Sequence, residues 1–131
     1  MTTDVALLRD QDQAYLDNTG LTHTADAADG FVNLTIKNLS TAPGLSSDHV
    51  DLLLRLPFGF PDATPDMFWV SPALTTSTGA RIPGTEMTES HIGRSWQRWS
   101  RHIAGQWRPG ADNLETYLAY VRQSLRQAGG N

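Results

Sequence analysis

Between Phe31 and Leu39 the chain alternates. Val32, Leu34 and Ile36 point one way, while Asn33, Thr35 and Lys37 point the other. A period of two marks a strand with one face buried and one solvated. The alternation returns at Val50, Leu52, Leu54 and Leu56, with Asp51 and Arg55 facing out and Leu53 breaking the pattern. The polar stretch between them, residues 40–48, is longer than a tight hairpin turn and reads as a loop. A short aromatic strand is predicted over Asp66–Val70, and another strand over residues 22–28. Towards each end the period lengthens. Residues 4–20 predict a helix capped by Asp4, with Leu8, Gln11 and Tyr15 near one face and Gly20 just past its end. Residues 112–130 predict a second helix. Leu114, Tyr117, Leu118, Val121 and Leu125 recur at helical spacing, Asp112 and Glu115 have capping-box spacing, and Gly129 and Gly130 end it. Three prolines and a glycine stop regular structure in LPFGFPDATPD, residues 56–66, and residues 71–91 are polar and broken by Gly and Pro. The order is helix, antiparallel meander of about four strands, long irregular segment, helix. That predicts an α+β fold with one sheet, as a single domain over residues 1–131.

Composition narrows the chemistry. A chain of 131 residues buries a core without covalent staples. It has no cysteine, which excludes disulfides, thiolate zinc sites and thiol nucleophiles. His23, His49, His91 and His102 lack HxH or HExxH spacing, so no metal site is expected. No phosphate-cradling glycine loop is present, so no cofactor is expected. No apolar run reaches the ~18 residues of a membrane span, and the N-terminus lacks the basic and apolar regions of a signal peptide. A cytoplasmic protein is the expectation.

Charge is split along the chain. The net charge is −4, but residues 1–66 carry ten acids and three bases, and residues 67–131 carry four acids and seven bases. Nine of the ten bases are Arg, which suits bidentate contacts and stacking on aromatic rings. The densest stretch is SWQRWSRHIAGQWRP, residues 95–109, with three of the four tryptophans, three arginines, two serines, a histidine and no acid. A single-stranded nucleic-acid surface is one reading of such Arg/Trp density. The acidity of the whole chain argues against it.

Two motifs carry a family resemblance. LPFGFPDATPDMFWV, residues 56–70, resembles the segment of ubiquitin-conjugating enzymes in which a proline-rich loop leads into an aromatic strand. GRSWQRWSRH with the WRP at Trp107, Arg108 and Pro109 resembles their active-site segment, where a Trp-Ser-Pro element follows the catalytic residue. The closer similarity is to the prokaryotic family E of that superfamily, over roughly residues 20–128. The resemblance implies a ubiquitin-conjugating-like fold and a carrier that accepts a ubiquitin-like protein from an activating enzyme. It also implies a multi-domain β-grasp ubiquitin-like protein as cargo and an operon-encoded peptidase acting on it. The first helix and the proline-rich loop, with Pro61 and Pro65, are the implied docking surface for the activating enzyme. The chain departs from the wider superfamily in lacking both the catalytic cysteine and the His-Pro-Asn triplet; the nearest upstream histidine is His91.

Without cysteine, the acylated side chain is expected to be a serine, which needs an adjacent general base. The family's spacing back from Trp107 reaches Trp99 and Ser100. Ser100 is the candidate nucleophile, with Ser95 as the alternative. His102 lies two residues on, on the same face if the backbone is extended, and an imidazole ordinarily titrates near neutrality. Asp66 or Asp112 is the candidate partner to orient it. Arg98 would share that face, and Arg94, Arg98 and Arg101 are candidates to bind a tail carboxylate or an oxyanion. Trp96, Trp99 and Trp107 read as packing residues or as a binding platform. Plainer readings stand beside these. Ser100 is a turn serine, His102 holds a carbonyl, the arginines stack on the rings, and the domain is a catalytically inactive module that binds a ubiquitin-like protein.

Overall fold

The computed structural model describes residues 7–131. The chain runs α1 (Asp10–Thr19), β1 (His23–Ala28), β2 (Phe31–Ser40), β3 (His49–Pro57), β4 (Phe68–Ser71), β5 (Thr88–His91), β6 (Arg94–Trp99), a 3-10 turn (Ala104–Gln106) and α2 (Leu114–Ala128). All strand pairs are antiparallel, in the order β1-β2-β3-β4-β6-β5. The α+β class and the terminal helices agree with the sequence pattern. The strand count does not: six strands stand where about four were expected. The additional pair, β5 and β6, comes from the end of the segment read as irregular and from the Arg/Trp stretch itself.

The reason lies in the two faces of β6. Trp99 points into the main core and stacks on Phe68 at 5.3 Å. Trp96, three residues earlier, points to the opposite face and packs with Leu53, Trp69 and Met67. A strand that buries an aromatic ring on each side shows no apolar/polar alternation. The same outer cluster explains Leu53, whose apparent break in β3 is a side chain buried on the second face. It also corrects Asn33 and Thr35, expected to be solvated but buried. The Asn33 amide donates to the carbonyl oxygens of Asp26 and Ala28 and accepts from Arg55 Nε at 3.1 Å, which satisfies it.

Between Ile36 and Leu39 a bulge inserts one residue into β2, opposite Val50–Leu52. Asn38 takes φ 55° there, and the shift returns Leu39 to the core. On the helix side, Leu16 of α1 and Leu114, Tyr117, Leu118, Val121 and Leu125 of α2 close the core against the inward faces of β2, β3, β4 and β6.

Asp4, the expected cap of the first helix, lies outside the described residues. The buried face of α1 is Asp12 and Leu16, with Tyr15 half-buried and Gln11 exposed. Asp12 is buried for a reason: its carboxylate accepts from Leu114 N at 3.2 Å, an otherwise orphan donor in the first turn of α2, and from Arg9 Nε at 3.1 Å. The capping box of α2 is Asn113–Thr116, one residue on from the expected Asp112–Glu115. Asp112 instead accepts from Arg108 N at 2.7 Å.

Candidate functional site

The site forms where β6 ends. Trp99 is its last residue, and Ser100–Ile103 run irregularly into the 3-10 turn. Beside this segment Met67 N donates to Arg101 O at 3.1 Å. That single backbone bond brings residues 66–67 against residues 100–102. Across it, His102 Nδ1 lies 2.6 Å from Asp66 Oδ1, both side chains more than half exposed. A carboxylate only accepts, so Nδ1 carries the proton and Nε2 is left as the basic nitrogen of the neutral ring. A carboxylate on one ring nitrogen is the geometry that orients a histidine for use as a base.

Ser100 is half-buried. Its N–H donates to Gly84 O at 2.8 Å, and its Oγ is directed at Met67 Sδ at 4.0 Å. Gly84 has φ 80°, a left-handed backbone that favours glycine where the loop meets Ser100. Met67 has a left-handed backbone, φ 61°, an uncommon conformation for a side-chain-bearing residue. Its carbonyl accepts from Tyr117 Oη at 2.6 Å. Burial raises the Tyr117 hydroxyl well above its ordinary value, with Tyr120 and Asp66 adding to the effect. Tyr120, stacked on Tyr117 at 6.0 Å, is also raised, chiefly by burial; Arg101 opposes the shift and Asp66 adds to it. Both phenols therefore stay neutral, and Tyr117 donates to the Asp66–Met67 turn.

The arginines divide. Arg98 lies on the outer side of β6, where its Nη1 donates to Glu89 Oε2 at 2.8 Å and its Nε is buried without a hydrogen-bond partner. It is part of the sheet's outer cluster and does not reach His102. Glu89 also accepts from Trp69 Nε1 at 2.9 Å and meets His91 Nε2 at 3.0 Å. The His91 hydrogen bond, then those from Trp69 and Arg98, hold its carboxyl below the ordinary value despite partial burial. Arg94 lies 4.3 Å over Trp96 and donates to Asp51 at 3.0 Å. Arg101 turns to the other side of the chain, 5.0 Å over Trp99, and donates to Pro83 O. Arg98 and Arg94 are thus held by acids within the sheet, which argues further against a nucleic-acid surface.

Of the tryptophans, Trp96, Trp99 and Trp107 are all buried packing residues. Trp107 donates from Nε1 to Pro61 O at 2.8 Å and packs edge-on to Tyr117. Pro61 and Pro65 are buried as well. The large apolar side chain exposed on that loop is Phe58, 66% exposed, at a cleft of about 230 Å³ lined also by Leu7, Leu8, Arg9 and Phe60. Ser95 is exposed near the start of β6, paired with Ser90. No cluster with the makings of a metal site occurs among the described residues. No helix among them is long and apolar enough to cross a membrane.

Sequence reasoning weighed Asp66 against Asp112 and left the choice open; the structure puts Asp66 on His102 and Asp112 on Arg108. It missed Met67, Tyr117 and Tyr120. Tyr117 was legible only as a core position, and Met67 carried no signal at all.

An antiparallel sheet with terminal helices, in which β6 runs into Ser100 and the His102–Asp66 pair, defines a small α+β protein. The particular kind follows from the whole length of the chain. Residues 8–128 match prokaryotic E2 family E, and the protein belongs to that family. No curated protein and no solved structure matches the chain. Membership gives a conjugating-enzyme-like role in the transfer of ubiquitin-like proteins, with an activating enzyme and a ubiquitin-like protein as the general partners of such a role.

Proposed function

We propose that this chain carries a ubiquitin-like protein as an ester on Ser100. The observation that supports it is the convergence of Ser100 and the His102–Asp66 pair on the Met67 turn, in a family member without cysteine. The Ser100 Oγ attacks the activated tail carbonyl presented by the activating enzyme. An Oγ–C bond forms, the bond from that carbon to the enzyme's leaving group breaks, and the serine proton passes through His102 Nε2 to the leaving group. In the second step an acceptor amine forms an N–C bond, the C–Oγ bond breaks, and His102 takes the amine's proton and returns one to Ser100. Closing the Ser100–His102 distance belongs to the loaded state, since catalytic hydrogen bonds commonly tighten only with substrate bound. Neutral phenols at Tyr117 and Tyr120 keep the site free of a further negative charge.

Phe58 and the cleft beside Leu7, Leu8 and Arg9 are the docking surface for the activating enzyme, a narrower part of the first-helix and proline-rich-loop surface, with Pro61 and Pro65, that the resemblance implies. A multi-domain β-grasp protein as cargo and a peptidase acting on it complete the system.

One observation favours a second reading. Ser100 Oγ faces a sulfur and not the imidazole, which suits an inactive module that only binds a ubiquitin-like protein. One experiment separates the two. The chain is mixed with the activating enzyme, the ubiquitin-like protein and ATP, and the adduct is resolved by mass. An ester resists thiol reductant, yields to hydroxylamine and is absent in Ser100→Ala; Ser100→Cys makes it thiol-sensitive. An adduct that persists in Ser100→Ala moves the nucleophile elsewhere, with Ser95 next, and no adduct at all leaves the binding module.

A further inference from the structure

The sheet is open, with β1 at one edge and β5 at the other. The edges differ. β5 has four residues, whereas β1 has six and pairs with β2 residue by residue without a break. The turn between β1 and β2 is Asp29–Gly30, with left-handed φ of 56° and 83°. In that two-residue hairpin the flanking pair, Ala28 and Phe31, exchanges hydrogen bonds. Bonded residues alternate from there. Thr24, Asp26 and Ala28 turn their main-chain groups to β2, as Thr22 does in accepting from Lys37 N at 2.8 Å. His23, Ala25 and Ala27 turn theirs outward, where no strand stands among the described residues.

A strand edge that is to stay unpaired is usually guarded by Lys, Pro, a bulge or a very short strand. β1 has none of these. Its sequence is HTADAA, and the bulge in β2 lies beyond it, between Ile36 and Leu39. Thr24, Asp26 and Ala27 are exposed, and Ala25 and Ala27 are small enough for a second backbone to close on them. The same parity fixes how a second β1 would fit, because outward residues pair with outward residues. With Ala25 facing Ala25 of the second copy, His23 faces Ala27, and all three outward residues bond. Thr24 then stands opposite Asp26 on the solvent face, a hydroxyl against a carboxylate, twice by symmetry. A shift of two residues one way sets Asp26 against Asp26. The opposite shift carries Ala27 past the end of the partner strand. Three strands separate β1 from β6, so the fit places the two Ser100 segments on the outer flanks of the pair.

We infer that β1 pairs with β1 of a second copy of this chain, antiparallel across a two-fold axis at Ala25, which joins two six-stranded sheets into one. The occupant is a second copy because the edge is complementary to itself. Its donors and acceptors match in a single full register, and that register opposes no like charges along the strand. One strand pair buries less than a standard stable interface, so the dimer forms in a concentration-dependent equilibrium. The inference does not depend on which residue is acylated.

Sedimentation velocity of the full chain from about 1 µM to about 1 mM covers the range of weak pairs. A passage from monomer to dimer is expected. Hydrogen exchange followed by NMR is expected to show the amides of Ala25 and Ala27 gaining protection as the dimer forms, while those of Thr24 and Asp26 are already protected by β2. Ala27→Pro removes an outward N–H and no bond to β2, and is expected to weaken the dimer at least about 10-fold. Ser90→Pro makes the same change at the free edge of β5 and is expected to leave the dimer unchanged. Thr24 is exposed, so its variants leave the core intact. Thr24→Asp sets like charges opposite each other twice across the axis and is expected to weaken the dimer several-fold. Thr24→Lys sets opposite charges there and is expected to strengthen it several-fold. A monomer at every concentration overturns the inference. So does a dimer that survives Ala27→Pro, or one that responds alike to Thr24→Asp and Thr24→Lys. Loss of the dimer in Ser90→Pro alone assigns the interface to β5 and overturns it as well.

Discussion

Asp66 decides what His102 is able to do. By accepting from Nδ1 at 2.6 Å it fixes which ring nitrogen is basic. Asp66→Asn supplies an amide that can donate to Nδ1 and favour the opposite tautomer, while Asp66→Ala frees the ring. Because both side chains are more than half exposed, water competes for the ring and the loss is expected at the low end of the general-base range, about 10²-fold. His102→Ala removes the base of the proposed mechanism and is expected to cost towards ~10⁴-fold. Discharge of preformed adduct to an amine, followed in single turnover, measures both. Neither change removes a buried group, so unfolding free energy is expected to stay within about 0.5 kcal/mol of the parent. An unchanged discharge rate in Asp66→Asn and His102→Ala together removes the pair from the mechanism. The same contact shows why the site was only half legible. Ser100 and His102 are neighbours in sequence, whereas Asp66 is 36 residues away from His102, joined through a backbone bond from Met67 to Arg101 that no side-chain pattern announces.

At the scale of elements, two devices fix the architecture. One is Asp12, which ties α1 to the first turn of α2. Asp12→Ala removes a charged acceptor from a buried donor and is expected to destabilise by about 2 kcal/mol, read from the urea midpoint. Asn113→Ala is expected to cost about 1 kcal/mol through the lost cap. The other device is Glu89, which joins β5 and β6 to β4 through Trp69 and Arg98. Its carboxyl titrates below its ordinary 4.5, first because of the His91 hydrogen bond. A pKa lower in the folded chain than in the unfolded one contributes stability that is full above about 4.5 and is lost as pH falls through the lowered value. Urea midpoints of the parent and Glu89→Gln are therefore expected to differ near neutrality and to converge in acid; a gap independent of pH assigns the effect to packing. These devices mark the limit of what periodicity reveals. In β2 from Val32 on and in α2 the apolar residues keep to one face, and in β3 only Leu53 departs from it, so their spacing reads directly. β6 buries Trp99 on one face and Trp96 on the other, and β5 is a polar edge, so neither carries a period.

Across the whole molecule the candidate docking cleft and the candidate site are joined by packed rings. Phe60 lines the cleft and lies 5.8 Å from Trp107; Trp107 packs edge-on to Tyr117; Tyr117 holds the carbonyl of Met67, which faces Ser100. Phe58 stands outside this chain of contacts, largely exposed on the same loop. The two positions therefore separate recognition from support. Phe58→Ala removes an exposed ring, so stability is expected to change by less than about 0.5 kcal/mol. If this ring anchors the activating enzyme, the loading reaction needs about 10-fold or more of that enzyme to reach half its maximal rate, since a buried aromatic anchor is worth ~2 kcal/mol. Trp107→Phe keeps most of the ring but loses the bond to Pro61 O, costing about 1 kcal/mol of stability. Its effect on loading is expected in the maximal rate, through the position of Met67, and not in the enzyme concentration required. Loading kinetics of the two variants at several activating-enzyme concentrations make the distinction. Equal behaviour of Phe58→Ala and the parent would place the docking surface on another part of the molecule.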